Sequence, residues 1–383
     1  MMKPLIQPSY YSDTEIFQRE QVLIFQNLWN FAGFTTDLQI HNDYICTEIG
    51  GKSIIVQNFH GELRAFLNVC SHRFSKIHQE SQGNGALKCP YHGWVYNCDG
   101  IPVAIPSAQQ FDINNTTKES LRLEKWLVEV CGKLVFVKRN DDGITLKEFL
   151  GSIYEKLANF SEAFGQKINE YQLKMNANWK ITTENTLEGY HVSSVHKNTF
   201  SKYGVPAEKK YICNEIHTAY SDIGNLEYIK KSKEVILLKK AESVVENRPL
   251  KLGSYYHQLI FPNLTIATND GVAFYVQIHQ PINPVETKLI SYVFVSKLDI
   301  KSDLEQSIVN TLTQSLTKIF LEVCEEDKAI CETVQLGISS RNDGSGIFSL
   351  EEQRVYEFHK AYCKFMNFSL AENLKTSILE SVP

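Results

Sequence analysis

The spacing of hydrophobic residues changes along the chain and divides it into regions. Residues 14–30 carry apolar side chains at helical intervals, which predicts an amphipathic helix. From about residue 40 to residue 140, short alternating or β-branched runs are separated by turn residues, as in antiparallel strands. Two of these runs flank His60 and Gly61 and predict a β-hairpin. This part of the chain is therefore predicted to be an all-β module.

The pattern changes again near residues 140–145. The stretch NDDG provides a turn, and Thr145 with Glu148 has the pattern of a capping box, which begins a helix. Beyond this boundary, helical patterns mix with long strand-like runs that succeed one another as hairpins do. The predicted fold class is therefore α+β, with an all-β region followed by helices and an antiparallel sheet.

A long helix is predicted near the C-terminal end, where Ser302 and Glu305 form a second capping-box pattern. Asp327 lies in phase with an apolar stripe on this helix, whereas Glu325 and Glu326 fall outside the stripe and are expected on a solvated face. A carboxylate on a buried face is costly unless it is paired or bound to a metal. Asp327 is therefore a candidate ligand, with a buried salt bridge or a backbone-capped carboxylate as the alternative. The stripe consists of Leu316, Phe320, Val323, Ile330 and Val334.

Composition narrows the class of protein without identifying it. With 383 residues the chain is long enough for two or more domains, and 43% hydrophobic with 22% charged residues is typical of a globular protein. A formal charge of -5 gives no reason to expect nucleic-acid binding. No apolar stretch approaches the length of a membrane span, and the N-terminus has no apolar core of a signal peptide. Nine irregularly spaced cysteines fit a reducing compartment, so a cytoplasmic location is expected.

Four potential metal ligands lie close together in the β module. Cys70 and His72 form one short-spaced pair, and Cys89 and His92 form another. Two thiolates and two imidazoles bind either zinc or an iron–sulfur cluster, but zinc ribbons normally show Cys-Cys or His-His pairs. Two Cys-His pairs on loops between strands match the Rieske [2Fe–2S] arrangement instead. The remaining cysteines are interpreted as buried thiols: Cys46, Cys98, Cys131, Cys213, Cys324, Cys331 and Cys363.

A second group of potential ligands lies in EGYHVSSVH, residues 188–196. Its two histidines, His191 and His196, are five residues apart, whereas metal-binding pairs on a regular helix are usually four apart. On a regular helix this spacing would separate the imidazoles by roughly 140°. The segment is therefore either a metal site on an irregular helix or a pair of unrelated histidines.

The two groups together carry a resemblance to a known family. CSHR…CPYHGWVY with NANWKITTENTLEGYHVSSVH resembles the catalytic α subunit of the Rieske non-heme iron oxygenases, and the likeness extends from NLWNFAGF to EEDKAICETVQLG. One departure is Phe74, where many members have glycine. The resemblance implies an N-terminal helix packing on the catalytic domain (1–38), a Rieske [2Fe–2S] domain (39–142) and a catalytic domain for a mononuclear non-heme iron (143–383).

The resemblance also implies roles for the candidate ligands. Cys70 and Cys89 would hold one iron of the cluster and His72 and His92 the other. The mononuclear Fe(II) would be held by His191, His196 and Asp327, the two-histidine, one-carboxylate set that leaves coordination positions open. The helix that carries the two histidines would then bend or widen near residues 192–194, or end between them.

Glu188 and Asn185 are the further catalytic candidates. In the family, an acidic residue at the position of Glu188 bridges the two metal centres across a subunit boundary; the alternative is that Glu188 is an ordinary i,i+3 partner on a helix or a solvent-facing acid. A glutamate there resembles members that act on quaternary ammonium compounds such as carnitine and glycine betaine. Asn185 and Tyr190 flank the site and are expected to orient ligands or simply to pack.

Other histidines and aromatic residues of the chain have ordinary structural roles as their first expectation. The histidines of the strand-like runs, His217, His257 and His279, are expected to be satisfied core or pocket residues. Four aromatic residues are candidates for a pocket lining, although most aromatic residues must belong to the core. These candidates are Phe200, Tyr203, Tyr255 and Tyr275.

The implied activity is that of a terminal oxygenase. A separate NAD(P)H-dependent flavin or iron–sulfur reductase, with or without a ferredoxin, would supply electrons, and the chain would use O2 to hydroxylate a small organic substrate at a C–H bond. A homotrimer is implied, because electron transfer in the family crosses between subunits. Oxidation of a biosynthetic intermediate and dihydroxylation of an aromatic ring use the same equipment. A non-catalytic Rieske electron carrier and a zinc-stabilised binding module are the alternatives from other classes.

Overall fold

The chain forms two compact units in the computed structural model. The first is Glu20–Glu162, and the second combines Met1–Arg19 with Ala163–Pro383. The structure describes residues 2–197, 199–200, 208–214, 216–223, 240, 244–246, 254–269, 271–341 and 346–368. Among the described helices, none has the length and apolar character needed to cross a membrane.

The regular elements are numbered in chain order. The strands are β1 Asn30–Phe34, β2 Asp43–Ile49, β3 Lys52–Phe59, β4 Glu62–Leu67, β5 Gln82–Asn84, β6 Val95–Tyr96, β7 Pro102–Ala104, β8 Lys125–Cys131, β9 Leu134–Lys138, β10 Phe164–Met175, β11 Glu208–Asn214, β12 His217–Ile223, β13 Ser254–Ile260, β14 Leu264–Asn269, β15 Ala273–Asn283 and β16 Glu286–Ser296. The α-helices are α1 Thr14–Glu20, α2 Asn115–Ser120, α3 Leu146–Leu150, α4 Tyr154–Glu162, α5 Trp179–Leu187, α6 Val192–Val195, α7 Asp303–Ser339 and α8 Gln353–Met366.

The first unit is built on an antiparallel sheet in the order β1-β9-β8-β4-β3-β2-β5, with β6 and β7 forming a separate ladder. The hairpin predicted at His60 and Gly61 joins β3 to β4, and both residues have positive φ angles, 55° and 96°, as a tight hairpin turn requires. The capping box predicted at Thr145 and Glu148 begins α3 with both of its hydrogen bonds formed.

The N-terminal helix is shorter than its apolar pattern predicts. The α-helix α1 passes into a π-helical turn over Gln21–Gln26 and ends there. Asn30–Phe34 then leaves the helical path and pairs with β9 as the edge strand of the first sheet. The structure therefore divides the segment 1–38, because residues up to Arg19 cluster with the second unit and those from Glu20 with the first.

The second unit is built on an antiparallel sheet in the order β10-β16-β15-β14-β13-β12-β11. Four of its strands, β13 to β16, come from the long runs over residues 255–298 in which the sequence predicts antiparallel pairing, whereas β10, β11 and β12 lie outside those runs. The helix predicted from Ser302 is α7, which begins with the Ser302 side chain accepting a hydrogen bond from the Glu305 amide. Part of α7 packs on one face of the sheet, where Leu312 and Leu316 join a core cluster with Tyr275 and Val293. This face of the sheet matters for the candidate site below.

Candidate metal centres

Two loops of the first unit hold the four ligands predicted for a cluster, and they repeat one backbone pattern. In the first loop the Cys70 amide donates to the Ser75 carbonyl, and the Phe74 amide donates to the Cys70 carbonyl. In the second loop the Cys89 amide donates to the Trp94 carbonyl, and the Gly93 amide donates to the Cys89 carbonyl. Each cysteine therefore begins a closed turn of the same size.

The turns place both thiols inside the unit. Cys70 is 2% exposed and Cys89 1% exposed, and both belong to a core cluster that includes Trp94 and Tyr96. Burial raises the pKa of Cys70, while the Tyr96 hydroxyl, 3.0 Å from its Sγ, works in the opposite direction. Hydrogen bonds to cluster sulfurs are one of the levers that set a reduction potential. Tyr96 is therefore placed to tune such a centre.

The histidines of the two loops lie close together, and one of them has a ring nitrogen without a hydrogen-bond partner among the described residues, as expected of ligands to an iron–sulfur cluster. The rings of His72 and His92 have centroids 4.6 Å apart. Nδ1 of His72 is buried and has no hydrogen-bond partner among the described residues, which is costly unless it binds something. Burial, with help from His92, lowers the pKa of His72, and a neutral imidazole is the form that binds metal. The donor set and the orphaned nitrogen thus fit a Rieske [2Fe–2S] cluster.

The second group of ligands comes from the two ends of one short helix and from the middle of a long one, both in the second unit. His191 is the N-cap of the single-turn helix α6, and His196 is its C-cap. The four residues between the two histidines therefore form one helical turn, and each histidine lies at an end of that turn. The preceding helix α5 already ends at Leu187. Of the predicted alternatives, the structure agrees with a helix that ends between the histidines, since α6 ends at Val195, but α6 is a separate turn and not a continuation of α5.

Asp327 comes from the middle of α7, where it is half-buried at 20% exposure. Its neighbours on that face are Cys324 and Cys331, which are buried. The predicted apolar stripe is correct at Leu316 and Val323 but not at Val334, which is 41% exposed. The buried face therefore follows the cysteines rather than the larger side chains at this end of the helix.

The three predicted iron ligands converge on one point. Nε2 of His191 lies 3.2 Å from Nε2 of His196. Oδ1 of Asp327 lies 3.7 Å from the first nitrogen and 3.1 Å from the second. Metal bonds of about 2.1 Å at right angles would place ligand atoms about 3 Å apart, so the triangle fits one face of an octahedron.

Hydrogen bonds behind the histidines turn their Nε2 atoms toward this point. Nδ1 of His191 contacts Oε1 of Glu188, and Nδ1 of His196 lies 2.7 Å from Oε2 of Glu326. A carboxylate accepts, so each Nδ1 carries the proton and each Nε2 offers a lone pair. Two lone pairs and the Asp327 carboxylate facing one another repel unless a cation lies between them. The arrangement therefore fits a mononuclear metal ion.

Asn185 and Glu188 lie beside this site, as the sequence predicts. Nδ2 of Asn185 donates to Oδ1 of Asp327 over 2.8 Å, which orients the carboxylate. Oε2 of Glu188 accepts from the backbone amides of Tyr190 and His191, the latter over 3.1 Å. Glu188 is only 12% exposed, so its carboxylate is fixed by the loop that follows α5. Tyr190 contributes its amide, while its side chain is 64% exposed.

Glu326 is a functional candidate that the sequence reasoning missed. It was expected on a solvated face, but its Oε2 contacts Nδ1 of His196 and accepts from Oγ1 of Thr199 over 2.6 Å. Burial by itself lowers the pKa of His196, and the two carboxylates, Asp327 and Glu326, outweigh it and raise that pKa. The signal available in the sequence was its position next to Asp327. Glu325 points elsewhere and accepts from Tyr171.

A cluster of tyrosines lies on the helix-covered face of the sheet in the second unit. Ring centroids of Tyr211 and Tyr220 are 5.3 Å apart, and those of Tyr220 and Tyr255 are 6.1 Å apart. The Tyr220 hydroxyl donates to Oδ2 of Asp222 over 2.8 Å. Tyr255 packs against the core cluster that contains Leu312 and Leu316 of α7, the helix that carries Asp327. We call Tyr211, Tyr220, Tyr255 and Asp222 the tyrosine cluster.

The other pocket candidates have different surroundings. Phe200 lies beside the metal site, with its ring centroid 5.2 Å from that of His196. Tyr275 stacks on Phe320 at 5.0 Å within the core. Tyr203 lies outside the described residues.

Among the histidines and cysteines outside the predicted ligand sets, a few have hydrogen bonding or burial that differs from the prediction. His217 is satisfied, since its Nδ1 accepts from the Phe261 amide. His257 and His279 are buried but each has an Nε2 without a partner among the described residues, so the expectation of satisfied side chains is wrong for them. All nine cysteines are free, and Cys213 is exposed rather than buried.

Comparison with known families agrees with this geometry. Residues 165–367 match the family described as ring hydroxylating alpha subunit (catalytic domain), which is more than half of the chain. Residues 28–126 match the Rieske [2Fe-2S] domain. The two matched segments contain the two groups of candidate ligands, one group in each.

Individual relatives and solved structures extend the likeness. The chain is 27% identical to the chloroplastic choline monooxygenase of Atriplex hortensis over 92% of its own length and 75% of the relative's. It is 32% identical to the glycine betaine monooxygenase oxygenase subunit of Chromohalobacter salexigens over 49% of its own length and 42% of the relative's. The quaternary ammonium Rieske monooxygenase CntA in complex with L-carnitine superimposes with a TM-score of 0.76 at 18% identity, covering 95% of each chain. Naphthalene 1,2-dioxygenase from a Rhodococcus species has the same fold, with a TM-score of 0.75 at 18% identity over 95% of this chain and 94% of that one.

Proposed function

The chain belongs to the ring-hydroxylating alpha-subunit family of Rieske non-heme iron oxygenases, and on that premise we propose that it hydroxylates a quaternary ammonium compound at a C–H bond. As a member of that family it is a terminal oxygenase, which acts on a small molecule with electrons from a reductase. Its cofactors are a Rieske [2Fe–2S] cluster, which stores and delivers electrons, and a mononuclear iron, which binds O2.

We assign the ligands by the fits described above. Cys70 and Cys89 would hold one iron of the cluster, and His72 and His92 would hold the other. His191, His196 and Asp327 would hold the mononuclear iron as a two-histidine, one-carboxylate set. Asn185 would keep the Asp327 carboxylate in place through its hydrogen bond to Oδ1.

Glu188 is proposed to connect the two centres. One of its oxygens contacts Nδ1 of His191, which is where a path out of the mononuclear site would begin. We propose that the same carboxylate reaches a cluster histidine of a neighbouring copy, and that three copies therefore form a ring. Its NAD(P)H-dependent flavin or iron–sulfur reductase would then deliver electrons to the cluster from outside the ring.

The observation that supports a quaternary ammonium substrate is the tyrosine cluster, whose Tyr255 packs against the core cluster of the helix that carries Asp327. Stacked or tilted tyrosine rings attract a methylated ammonium group through their π faces, and such cages are the usual means of binding choline-like groups. Burial raises the pKa of Asp222, which shows that its charged form is costly in this position. A bound cation would offset that cost. The choline and glycine betaine monooxygenases among the relatives act on substrates of this kind by their names.

A substrate panel tests the proposal. The purified holoenzyme, with a surrogate reductase, is given quaternary ammonium compounds and, separately, naphthalene and anthranilate, and product formation is measured together with O2 consumption. We expect coupled turnover with at least one quaternary ammonium compound and none with the arenes. Turnover of an arene alone would contradict the substrate proposal while leaving the oxygenase class intact. Tyr255→Leu should raise the KM for the ammonium substrate by about tenfold, as expected for the loss of one cation–π partner.

A further inference from the structure

Arg354 connects the end of one helix to two strands of the second sheet. It lies on α8 and is only 2% exposed. Its Nε donates to Oγ1 of Thr218 over 3.2 Å, and its Nη2 donates to the Thr218 carbonyl over 3.3 Å and to Nδ1 of His257 over 2.9 Å. Its Nη1 donates to the Leu187 carbonyl over 3.4 Å. One guanidinium group therefore holds β12, β13 and the end of α5 together.

The contact with α5 explains how a buried charge is tolerated among neutral partners. Burial lowers the pKa of Arg354 to about 10, so the side chain is still charged at neutral pH, and its four hydrogen-bond acceptors are neutral groups. A buried charge without compensation is costly. Leu187 is the last residue of α5, and the carbonyl groups at the C-terminal end of a helix carry a partial negative charge. The end of α5 therefore offsets part of the cost of burying this cation.

The Leu187 carbonyl belongs to the peptide unit that leads into Glu188. The amide that would continue the helix by donating to this carbonyl is that of His191, but it donates to Oε2 of Glu188 instead. The donor from Arg354 takes its place. Because a peptide unit is planar, a donor that fixes the Leu187 carbonyl also fixes the Glu188 amide and limits the directions in which the Glu188 side chain leaves the backbone.

The Glu188 side chain reaches the candidate iron site from this backbone position. Its Oε1 contacts Nδ1 of His191, and its Oε2 accepts from the amides of Tyr190 and His191. Glu188 is also the residue at which the chain leaves α5, with extended φ and ψ angles of -129° and 161°. A carboxylate behind a metal-binding histidine orients the ring only while its own position is fixed. Arg354 and the segment after Glu188 therefore fix this residue from its two sides.

We propose that Arg354 is a positioning residue of the mononuclear centre, which holds the peptide before Glu188 so that the Glu188 carboxylate stays on Nδ1 of His191. This rests on the proposed function, in which His191 is an iron ligand. Arg354 acts at a distance, since its four hydrogen bonds go to none of the candidate iron ligands. The planar fork is needed as well as the charge, because a lysine ammonium cannot reach a helix end and two strands at once.

A double-mutant cycle between Arg354 and Glu188 separates positioning from general stability. The enzyme with its cluster intact is depleted of mononuclear iron by a chelator, and the wild type, Arg354→Met, Glu188→Gln and the double variant are titrated with Fe(II). We expect Arg354→Met to weaken Fe(II) binding by about tenfold in the wild-type background and by less than about twofold in the Glu188→Gln background. Equal losses in both backgrounds would overturn the proposal and leave the proposed function standing, since the effect would then not pass through Glu188. A wild-type enzyme that binds no Fe(II) would contradict the proposed function, and the proposal with it.

Hydrogen exchange gives a second measurement, which does not depend on bound iron. The amides of Tyr190 and His191 donate to Glu188, so Arg354→Met should raise their exchange rates by about tenfold or more in the iron-depleted enzyme. The amides of β13 to β16 should change far less. An equal increase across the whole sheet would mean that Arg354 only stabilises the unit as a whole, which would overturn the proposal.

Two further variants control for charge and for folding. Lys360→Met, on the exposed side of the same helix, removes one positive charge and should change neither the Fe(II) affinity nor the exchange rates. A loss in Lys360→Met equal to that in Arg354→Met would overturn the proposal, because net charge alone would then account for the effect. Should Arg354→Met fail to fold, Arg354→Lys keeps the charge without the fork, and it must show the same dependence on Glu188 for the proposal to stand.

Discussion

The two metal centres are built from different kinds of structure. The cluster ligands come from two loops between Cys70 and His92, and each loop closes on itself through the same pair of backbone hydrogen bonds. The iron ligands come from both ends of a single helical turn and from the middle of α7, more than 130 positions later in the chain. A loop of the first kind keeps its geometry locally. The second site exists only when α7 is packed against the segment that follows α5.

The hydrogen bonds around the mononuclear metal site connect α7 to α5 and to the segment that follows α5. Gln335 on α7 accepts through Oε1 from the Asn178 amide at the start of α5, and Asn185 on α5 donates to Asp327. His196 is tied back to α7 through Glu326. Each iron ligand is thus oriented by a residue of another element, whereas the cysteines of the first site are oriented by their own loops. Substitutions should therefore spread their effects differently in the two units.

The largest expected effect comes from removing the carboxylate ligand. Asp327→Ala should reduce the iron content from about three to about two atoms per chain and abolish product formation, because the open-sided site needs its third protein ligand. The visible absorption of the cluster should not change, since its loops lie in the other unit. Iron analysis and absorption spectra of the same sample measure both. Retention of the full iron content would remove Asp327 from the ligand set, and loss of the cluster as well would show that the two centres do not form independently.

Glu188→Gln should have the next largest effect. An amide has one oxygen and one NH2, so it cannot accept from His191 Nδ1 and from two backbone amides at once. We expect both metals to bind at saturating iron, while product formation falls by about 100-fold, at the upper end for loss of a group behind a metal ligand. Single-turnover assays on the reduced enzyme make the measurement. Glu188→Asp keeps the charge and should retain a measurable part of the activity; normal turnover in Glu188→Gln would exclude the bridging role.

Much of the fold and of both centres could be predicted because the relevant signals are local. The Cys-His pairs, the caps at Thr145 and Ser302, and the hairpin at His60 depend on residues a few positions apart. Asp327 could be found because one polar residue interrupts an apolar stripe. The unpaired Nε2 of His257 and the contact of His257 with Arg354 could not be predicted, since they depend on which strand and helix meet across the sheet.

Glu326 shows the same limit at closer range. Helical phase placed it on the solvated side, and it is partly exposed at 25%, but the loop carrying His196 covers its carboxylate. Phase on one helix predicts which face is apolar; it does not predict which other segment crosses the polar face. Residues of the mononuclear metal site, whose ligands are far apart in the sequence, are therefore the ones that the sequence alone fails to predict.

Glu326→Gln measures how much this crossing contributes. The amide can still accept from His196 Nδ1 but no longer compensates the positive charge of the site, so we expect iron affinity to fall by roughly 10- to 100-fold. Titration of the apoenzyme with Fe(II) gives the affinity. Glu325→Gln is the matched control, because Glu325 is the preceding residue and its carboxylate instead accepts from Tyr171. Equal losses in both variants would point to the general charge of the helix rather than to the contact with His196.

The smallest expected effect concerns a difference between the two loops of the cluster site. The residue that closes each loop has a positive φ: 63° at Phe74 and 75° at Gly93. A non-glycine residue in this conformation costs about 1–2 kcal/mol, and the exposed ring of Phe74 makes little contact that would repay it. Phe74→Gly should therefore be about 1 kcal/mol more stable than Phe74→Ala, which keeps the strain and loses the ring. Gly93→Ala should be destabilised by a similar amount, because a residue with a Cβ is strained at a φ of 75°, whereas the nearest atom to the added Cβ, in Pro106, lies at an ordinary contact distance of 3.4 Å. Urea unfolding followed by the visible absorption of the cluster measures all three variants. A Phe74→Gly variant no more stable than Phe74→Ala would show that the two loops, although closed by the same hydrogen bonds, are not under the same conformational constraint.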